Sequence, residues 1–215
     1  MLLTLIKKQI VTPEIWSFTF TSPEPVQFNP GQFVMLRQPN ALPKYNRAFS
    51  IANAPNTKEI TFLIKKIPNG HVSGYLETAA PGVSIEAGQP VGRFTLNPTD
   101  TDRVFVATGT GLAPIISFIE SKPTIPFALL FGVRSETDLF WTEKLDTTKT
   151  TITLSQPSDV WTGARGRVTA HIDSTIKNHP EAAWYLCGSP DMVKEVRAQL
   201  LAHGVTATNI HFEIF

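Results

Sequence analysis

Five short stretches of the chain combine residue types that can hold a flat, phosphate-bearing ligand. Ala107-Thr108-Gly109-Thr110-Gly111-Leu112-Ala113-Pro114 follows the apolar run Val104-Phe105-Val106 and precedes Ile115, Ile116, Phe118 and Ile119, a helix-like pattern. Glycines at such a strand-to-helix turn let the backbone approach a pyrophosphate, which then rests on the helix N-terminus. No Gly-Lys-Ser/Thr follows, which excludes the lysine-bearing phosphate loop, and Pro114 stands where a third glycine would complete Gly-x-Gly-x-x-Gly. In Arg47-Ala48-Phe49-Ser50-Ile51, strand alternation puts Arg47, Phe49 and Ile51 on one face and Ser50 on the other. An arginine grips a phosphate with two parallel bonds, a phenylalanine stacks on a planar ring, and a serine hydroxyl bonds a ring nitrogen.

The third stretch is Asn69-Gly70-His71-Val72-Ser73-Gly74-Tyr75-Leu76. Gly70 permits a turn, and Ser73 with the amides after it can open a helix whose N-terminus attracts an anion. His71 has no second histidine or carboxylate at ligand spacing, so no metal is expected. Leu186-Cys187-Gly188-Ser189-Pro190 closes another apolar run, at the strand end where open α/β sheets bind ligands. The glycine after Cys187 leaves room for a flat ring. The last stretch, Phe212-Glu213-Ile214-Phe215, ends on an aromatic that serves either as a core plug or as a removable lid on a ring. Each stretch alone has a plain structural reading: an edge strand with a solvated arginine, a capped helix, a tight crossover, a buried small thiol, a core plug.

The elements that must position these residues follow two grammars. Through the first half, Trp16, Phe18 and Phe20 alternate, Pro30-Gly31 introduces Phe33-Val34-Met35-Leu36, and 47–52 and 59–66 add two more strands, with one short helix near Ser73. Short strands at this spacing predict an antiparallel β-barrel. Near residue 100 the pattern changes to apolar runs at 104–107, 127–131, 151–155, 183–187 and 211–215, with helices between them. That predicts an open parallel α/β sheet. In the last of these helices, Ser189 caps, Pro190 takes the first position and Gly204 can stop it. The domain boundary is expected in 97–102, giving domains 1–98 and 99–215.

Composition narrows the functional classes. The net charge is +1, which does not suggest a nucleic-acid reader. Lys7, Lys8, Lys44, Lys58, Lys65 and Lys66 read as a solvated face, or alternatively as a docking patch for an acidic protein. The single cysteine excludes an internal disulfide and an iron–sulfur cluster within these 215 residues. Without a signal-like N-terminus or an apolar span of about 20 residues, a cytoplasmic protein is expected.

Taken in order along the chain, the motifs resemble those of the ferredoxin–NADP reductase family. Arg47-Ala48-Phe49-Ser50 is similar to its Arg-x-Tyr/Phe-Ser flavin motif, and Gly70-His71-Val72-Ser73 to its Gly-x-x-Ser pyrophosphate motif. Gly109 to Pro114 resembles its dinucleotide loop, Cys187-Gly188 its nicotinamide-side pair, Phe215 its C-terminal aromatic, and Pro30-Gly31-Gln32-Phe33 a flavin-domain segment. The resemblance implies FAD and NAD(P)H as cofactors and hydride transfer at flavin N5. The FAD pyrophosphate would be held by Arg47, Gly70, Val72 and Ser73, the ring flanked by Phe49 and Phe215, and Ser50 near N5. Thr110, Gly111 and Pro114 would meet the dinucleotide, Cys187 and Gly188 the nicotinamide, and Glu213 would assist the proton balance. The candidate cofactor-binding set also takes in Ala48, Ile64, Lys65, His71, Thr108, Gly109, Ala113, Arg134 and Ser189; Ser50, Cys187, Glu213 and Phe215 form the candidate catalytic set.

The implied partner is a ferredoxin, a flavodoxin or an oxygenase component. Two other functions remain open: a reductase of free flavin, and a flavin-bearing subunit with little activity alone. Phe49 replaces the tyrosine the family often uses. Ser155-Gln156-Pro157 stands where NADP-using members often carry Ser-Arg, and 161–168 resembles the NADH-linked oxygenase-reductase branch.

Overall fold

The computed structural model describes residues 1–39 and 46–215, and these form two compact units. Residues 1–95 with 113–123 make the first, and 96–112 with 124–215 the second.

The first unit contains β1 (Leu2–Ile10), β2 (Ile15–Val26), β3 (Phe33–Arg37), β4 (Asn46–Ser50), β5 (Thr57–Lys65), α1 (His71–Thr78) and β6 (Ser84–Ala87). The strands form one antiparallel sheet in the order β4-β3-β6-β1-β2-β5. Just beyond β4, Ile51 bridges Phe62 of β5, and the Ala52 amide donates to the Thr61 carbonyl at 2.9 Å. The sheet therefore curls until its two edges meet, as a barrel requires. Alternation along β2 turns Phe18 and Phe20 inward, where Phe20 meets Phe62 edge-on at 5.9 Å between ring centres.

Helix α1 begins at His71, two residues before the expected Ser73. Gly70 is its N-cap in extended conformation, and a Cβ there would lie 2.2 Å from Ser73 Oγ, which occupies the first turn. At the other end of α1, Lys8 Nζ donates to the carbonyls of Glu77 (2.9 Å) and Ala79 (2.8 Å) and lies 5.0 Å from the Trp16 ring centre. A cation there satisfies carbonyls that a helix leaves without partners. Lys65 pairs with Glu14 and Lys66 with Glu77. Three of the six lysines read as a face are thus tied into the barrel. Lys7 and Lys58 are exposed, and Lys44 falls outside the described residues.

The second unit contains β7 (Arg103–Thr108), the start of α2 (Leu112–Ser121), β8 (Ala128–Val133), β9 (Thr150–Leu154), β10 (Ala164–Arg165), α3 (Ile172–Asn178), β11 (Ala183–Gly188), α4 (Pro190–Ala202) and β12 (Ile210–Ile214). All strands are parallel, in the order β10-β9-β8-β7-β11-β12. Central β11 is buried along its whole length, as a parallel strand covered on both faces must be. Ser189 caps α4 by accepting from the Met192 amide at 3.3 Å, with Pro190 at the first position. Met192, Val193, Val196 and Leu200 form its buried stripe. The expected alternation of strand and helix fails between β8 and β9, where two short 3-10 turns, Glu136–Asp138 and Thr142–Lys144, replace a helix.

Most of α2, residues 113–121, groups with the barrel unit. Ser117 Oγ donates to the Asn53 carbonyl at 2.8 Å, and Phe118 lies 5.4 Å from Phe94 between ring centres. Gly31 fits beneath them: its φ is +91°, and a Cβ would come 1.9 Å from the Phe94 carbonyl oxygen. Only glycine tolerates both conditions. At the N-terminal edge of the parallel sheet, Tyr185 Oη accepts from the Asn97 amide (2.9 Å) and donates to Asp100. Burial and the Asp100 carboxylate push that phenol well above its ordinary pKa. No helix among the described residues is long and apolar enough to cross a membrane.

Candidate dinucleotide and flavin sites

Adjacent parallel strands bring three distant stretches of sequence together in the second unit. Ala107 of β7 pairs with Cys187 of β11, and Cys187 in turn pairs with Glu213 of β12. The loops leaving these strands then interlock through backbone. A Cβ on Gly111 would lie 2.1 Å from the Cys187 carbonyl oxygen and 2.8 Å from Gly188 Cα. A Cβ on Gly188, whose φ is +147°, would lie 2.2 Å from Thr108 Oγ1 and 2.9 Å from the Thr108 carbonyl oxygen. The Phe215 amide donates to the Gly188 carbonyl at 3.2 Å. The loops are thus closely packed at the C-terminal ends of β7 and β11, the place where open α/β sheets receive ligands.

Thr108, Gly109 and Thr110 are half-exposed there, with Gly109 at φ +54°. Ala113 and Pro114 are buried in the first turn of α2. Proline costs nothing there, because the first amides of a helix lack intrahelical partners. Ser189 is exposed, Glu213 half-buried, and Phe215 exposed by 47%. Arg134 is exposed just past β8, and its carbonyl accepts from the Gln156 amide at 2.7 Å.

Cys187 is fully buried, and burial, with the Glu213 carboxylate adding to it, raises its pKa well above the ordinary thiol value. It remains a neutral thiol at physiological pH, so its contribution is shape and not thiolate chemistry. A thiol reagent at pH 8 should modify native protein far more slowly than unfolded protein; equal rates would contradict the burial. The raised pKa also sets a sign for stability. Above about pH 8.5 the unfolded chain releases this proton while the folded chain keeps it. Stability should therefore fall as pH rises past that point, and a Cys187→Ala variant should lose part of that slope.

In the barrel unit, Arg47 is exposed on β4 opposite Leu36, and its Nη1 donates to the Asn46 carbonyl at 2.9 Å. Ala48 is also exposed. Phe49 is half-buried and packs against the core cluster that holds Ile51, Ile64 and Val72. The expected alternation ends at Ser50. Ser50 and Ile51 are both buried, because the chain leaves β3 there and crosses to β5, so Ile51 does not share the exposure of Arg47. Lys65 meets Glu14 at 3.0 Å with both side chains more than half exposed, a pair of little energetic consequence. At the start of α1, His71 is exposed while Val72 and Ser73 are buried. The first-turn amides point out of the helix end, as in any helix.

Two residues absent from the expected set stand out beside the dinucleotide surface. Glu136 Oε1 accepts from the Ser158 amide at 3.0 Å and from Ser158 Oγ at 2.6 Å. The usable signal is an acid 25 residues beyond Gly111 and just past the next strand, near the spacing at which many dinucleotide folds meet a ribose.

Comparison with known proteins agrees with both halves. An oxidoreductase FAD-binding domain matches residues 2–96, and an oxidoreductase NAD-binding domain matches residues 105–198. The 2-halobenzoate 1,2-dioxygenase electron transfer component of Burkholderia cepacia is 34% identical over 203 residues, 88% of this chain and 59% of its own length. The chain thus spans less than two thirds of that relative. Ferredoxin--NADP reductase B of Sorangium cellulosum is 32% identical over 206 residues, covering 86% of this chain and 84% of its own. Among solved structures, the ferredoxin reductase in carbazole 1,9a-dioxygenase superposes with a TM-score of 0.90 at 27% identity, over 100% of this chain and 69% of the other. A ferredoxin NADP+ reductase from Neisseria gonorrhoeae with bound FAD and NADP gives 0.87 at 21% identity, over 100% and 98%, a likeness of fold. The chain belongs to the ferredoxin–NADP reductase family, with an FAD-binding domain followed by an NAD-binding domain.

Proposed function

We propose that this chain moves electrons between a nicotinamide dinucleotide and a protein that handles them singly, of ferredoxin, flavodoxin or oxygenase-component type, with FAD as the relay. The observation that carries the reading is the glycine-bearing turn at the carboxyl ends of β7 and β11, where Gly111 packs on Cys187 and Gly188 on Thr108 while Thr108, Gly109 and Thr110 stay half-exposed. Relatives described as electron transfer components and ferredoxin reductases support the same reading.

In this reading, residues 1–98 hold the flavin and residues 99–215 the nucleotide. FAD, when bound, supplies hydride acceptance at N5 and release of electrons one at a time, chemistry that no side chain offers. The donors present fit such a group: Arg47 offers an exposed guanidinium and α1 its first-turn amides to the diphosphate. Phe49 offers a half-buried ring for one face of the flavin, and Phe215 an exposed one for an aromatic partner. Ser50 contributes a hydroxyl for a ring nitrogen. Ala48, Ile64, Lys65 and His71 complete the walls around the flavin. Thr108 to Gly111, Ala113 and Pro114 receive the dinucleotide phosphates, with Arg134 and Ser189 at the margins. Cys187 and Gly188 shape the nicotinamide seat and Glu213 sets the local charge.

The test is an absorbance spectrum of the purified protein, followed by anaerobic addition of NADH and of NADPH. Bound-flavin bands that bleach with a reduced nucleotide are expected. A protein that neither retains nor takes up FAD would end this reading, and one that reduces added flavin without retaining it would make it a free-flavin reductase.

A further inference from the structure

A strand at the margin of a sheet leaves one side of its backbone without ladder partners, and proteins blunt such margins with lysine, proline, a bulge or a very short strand. The barrel closes on itself through the Ile51–Phe62 bridge. At one margin of the parallel sheet, β10 is two residues long and carries Arg165. The other margin, β12, has none of these devices. It reads Ile-His-Phe-Glu-Ile over 210–214 and pairs with β11 without a register shift. Its Phe212 and Ile214 side chains are exposed by 45% and 48%. We infer that β12 pairs antiparallel with β12 of a second copy of this chain, about a two-fold axis through Phe212, so that two parallel sheets join edge to edge. The inference is independent of the nucleotide reading.

Backbone direction narrows the register. The Phe215 amide donates to the Gly188 carbonyl, so it points toward β11. Bonding direction alternates along a strand, hence Phe212 and Ile214 present amide and carbonyl outward, and Ile210 presents its carbonyl. The Ile210 amide is spent on the Ala207 carbonyl of the preceding turn. Two antiparallel registers then give the same number of bonds between copies. In the first, Phe212 faces its own copy in a pair that exchanges both bonds, and each Ile214 amide donates to the Ile210 carbonyl of the other chain. In the second, centred on Glu213, each Phe212 faces an Ile214. Charge separates them. The second register sets Glu213 directly against Glu213 of the other copy, and like charges directly opposite destabilise a strand pair. The first sets each Glu213 carboxylate beside a His211 imidazole. His211 is held on the same face of β12 as Glu213, its ring stacked on Tyr185 at 4.6 Å between centres and its Nε2 3.9 Å from Asp100 Oδ2.

The opposite face of β12 adds the apolar share. Phe212 lies against Phe212 of the second copy and Ile214 against Ile210, and aromatic and branched cross-strand pairs are the favourable kinds. Arg197 of α4 already covers part of the Phe212 ring, its guanidinium 5.8 Å from the ring centre. Leu201, one turn further along α4 on the same helix face, is exposed and widens the apolar patch. Pairing stops at Ile214 and leaves Phe215 outside the ladder. Five residues a side is small beside the roughly 1,200 Å² of a stable interface, so the dimer is a weak one that forms with concentration.

The test is sedimentation of the full chain from about 5 to about 500 µM, with introduced cysteines to fix the register. The wild type should pass from monomer to dimer over that range. Phe212→Lys, which puts a charge on the axis, should stay monomeric throughout with the wild-type circular dichroism. At the high end of the range with oxidised glutathione, Phe212→Cys should give a disulfide-linked dimer, because Cα atoms of a hydrogen-bonded antiparallel pair stand about 5.5 Å apart, within disulfide reach. Ile214→Cys should not, because its two copies are offset by four residues, roughly 14 Å along the strands. Buried Cys187 contributes no background. A wild type that stays monomeric overturns the inference and assigns the edge to some other partner. A folded Phe212→Lys variant that still dimerises overturns it too. If that variant does not fold, the cysteines decide: failure of Phe212→Cys to cross-link, or cross-linking of Ile214→Cys in its place, removes the pairing.

Discussion

Gly111→Ala should lower the unfolding midpoint of the α/β unit by about 10 °C or more and abolish bleaching by reduced nucleotide, while the barrel still retains flavin. The added methyl would sit 2.1 Å from the Cys187 carbonyl oxygen and 2.8 Å from Gly188 Cα. Both neighbours are backbone of β11, where Cys187 pairs with Ala107 and Gly188 with Ile214, so no side chain can swing aside. Overpacking a rigid site costs about 1–3 kcal/mol and sometimes more, and each kcal/mol shifts a domain of this size by about 4–8 °C. If the loop relaxes instead, the β7 and β11 ends part, and the surface proposed for the dinucleotide opens. Differential scanning calorimetry with an anaerobic NADH titration reads both effects. An alanine variant with unchanged midpoint and unchanged bleaching would show that the interlock is not required. Gly188→Ala brings a different clash, 2.2 Å from Thr108 Oγ1 and 2.9 Å from the Thr108 carbonyl oxygen, and adds a backbone conformation that L side chains rarely adopt.

The second large effect is expected at Arg47. Arg47→Ala should weaken FAD retention by about 10–100-fold, the loss of a charge-assisted pair to a phosphate, with little change in the stability of the flavin-free protein. The side chain is exposed, and its hydrogen bond to the Asn46 carbonyl is local. It therefore contributes little to holding the barrel together. Arg47→Lys should recover only part of the affinity, because an ammonium lacks the two-pronged geometry of a guanidinium. Flavin released on repeated ultrafiltration measures the effect. Full occupancy in Arg47→Ala would remove Arg47 from the phosphate role and shift that role to the α1 amides alone.

What could be read from residues and what could not have separate physical causes. The parallel strands β7, β8, β9 and β11 are legible because burial on both faces demands unbroken apolar runs. Strand β1 is not. Its outward positions carry Lys7, Lys8 and Gln9, and a register shift between Leu5 and Lys7 breaks the period of two. β6 and β10, four and two residues long, are too short to show any period. The start of α1 was misplaced because serine is the stronger capping type, whereas the space at Gly70 is already taken by Ser73 Oγ. The glycine pairs at 109–111 and at 188 were each visible. That Gly111 presses on Cys187, and Gly188 on Thr108, depends on strand neighbours about 80 residues apart and leaves no trace in local pattern. The Glu136–Ser158 contact is hidden for a related reason, since it joins two loops 22 residues apart.

The segment joining the two grammars of the chain, residues 96–102, has a practical consequence for dissecting the protein. It is stitched to the N-terminal edge of the parallel sheet by Asn97 and Asp100 on Tyr185, by Asp102 on His179 at 2.9 Å, and by the Asp102 carbonyl, which accepts from the Ala183 amide at 3.0 Å. A nucleotide-binding fragment trimmed to begin at Arg103, the first residue of β7, would leave the Tyr185 phenol without either partner and Arg103 without the Asn97 carbonyl. Each orphaned buried group costs about 1–3 kcal/mol, a large part of what a small domain has in reserve. The same fragment begun at Leu96 keeps every one of these ties, so the seven polar-rich residues 96–102 belong to the nucleotide-binding half and are not a disposable linker.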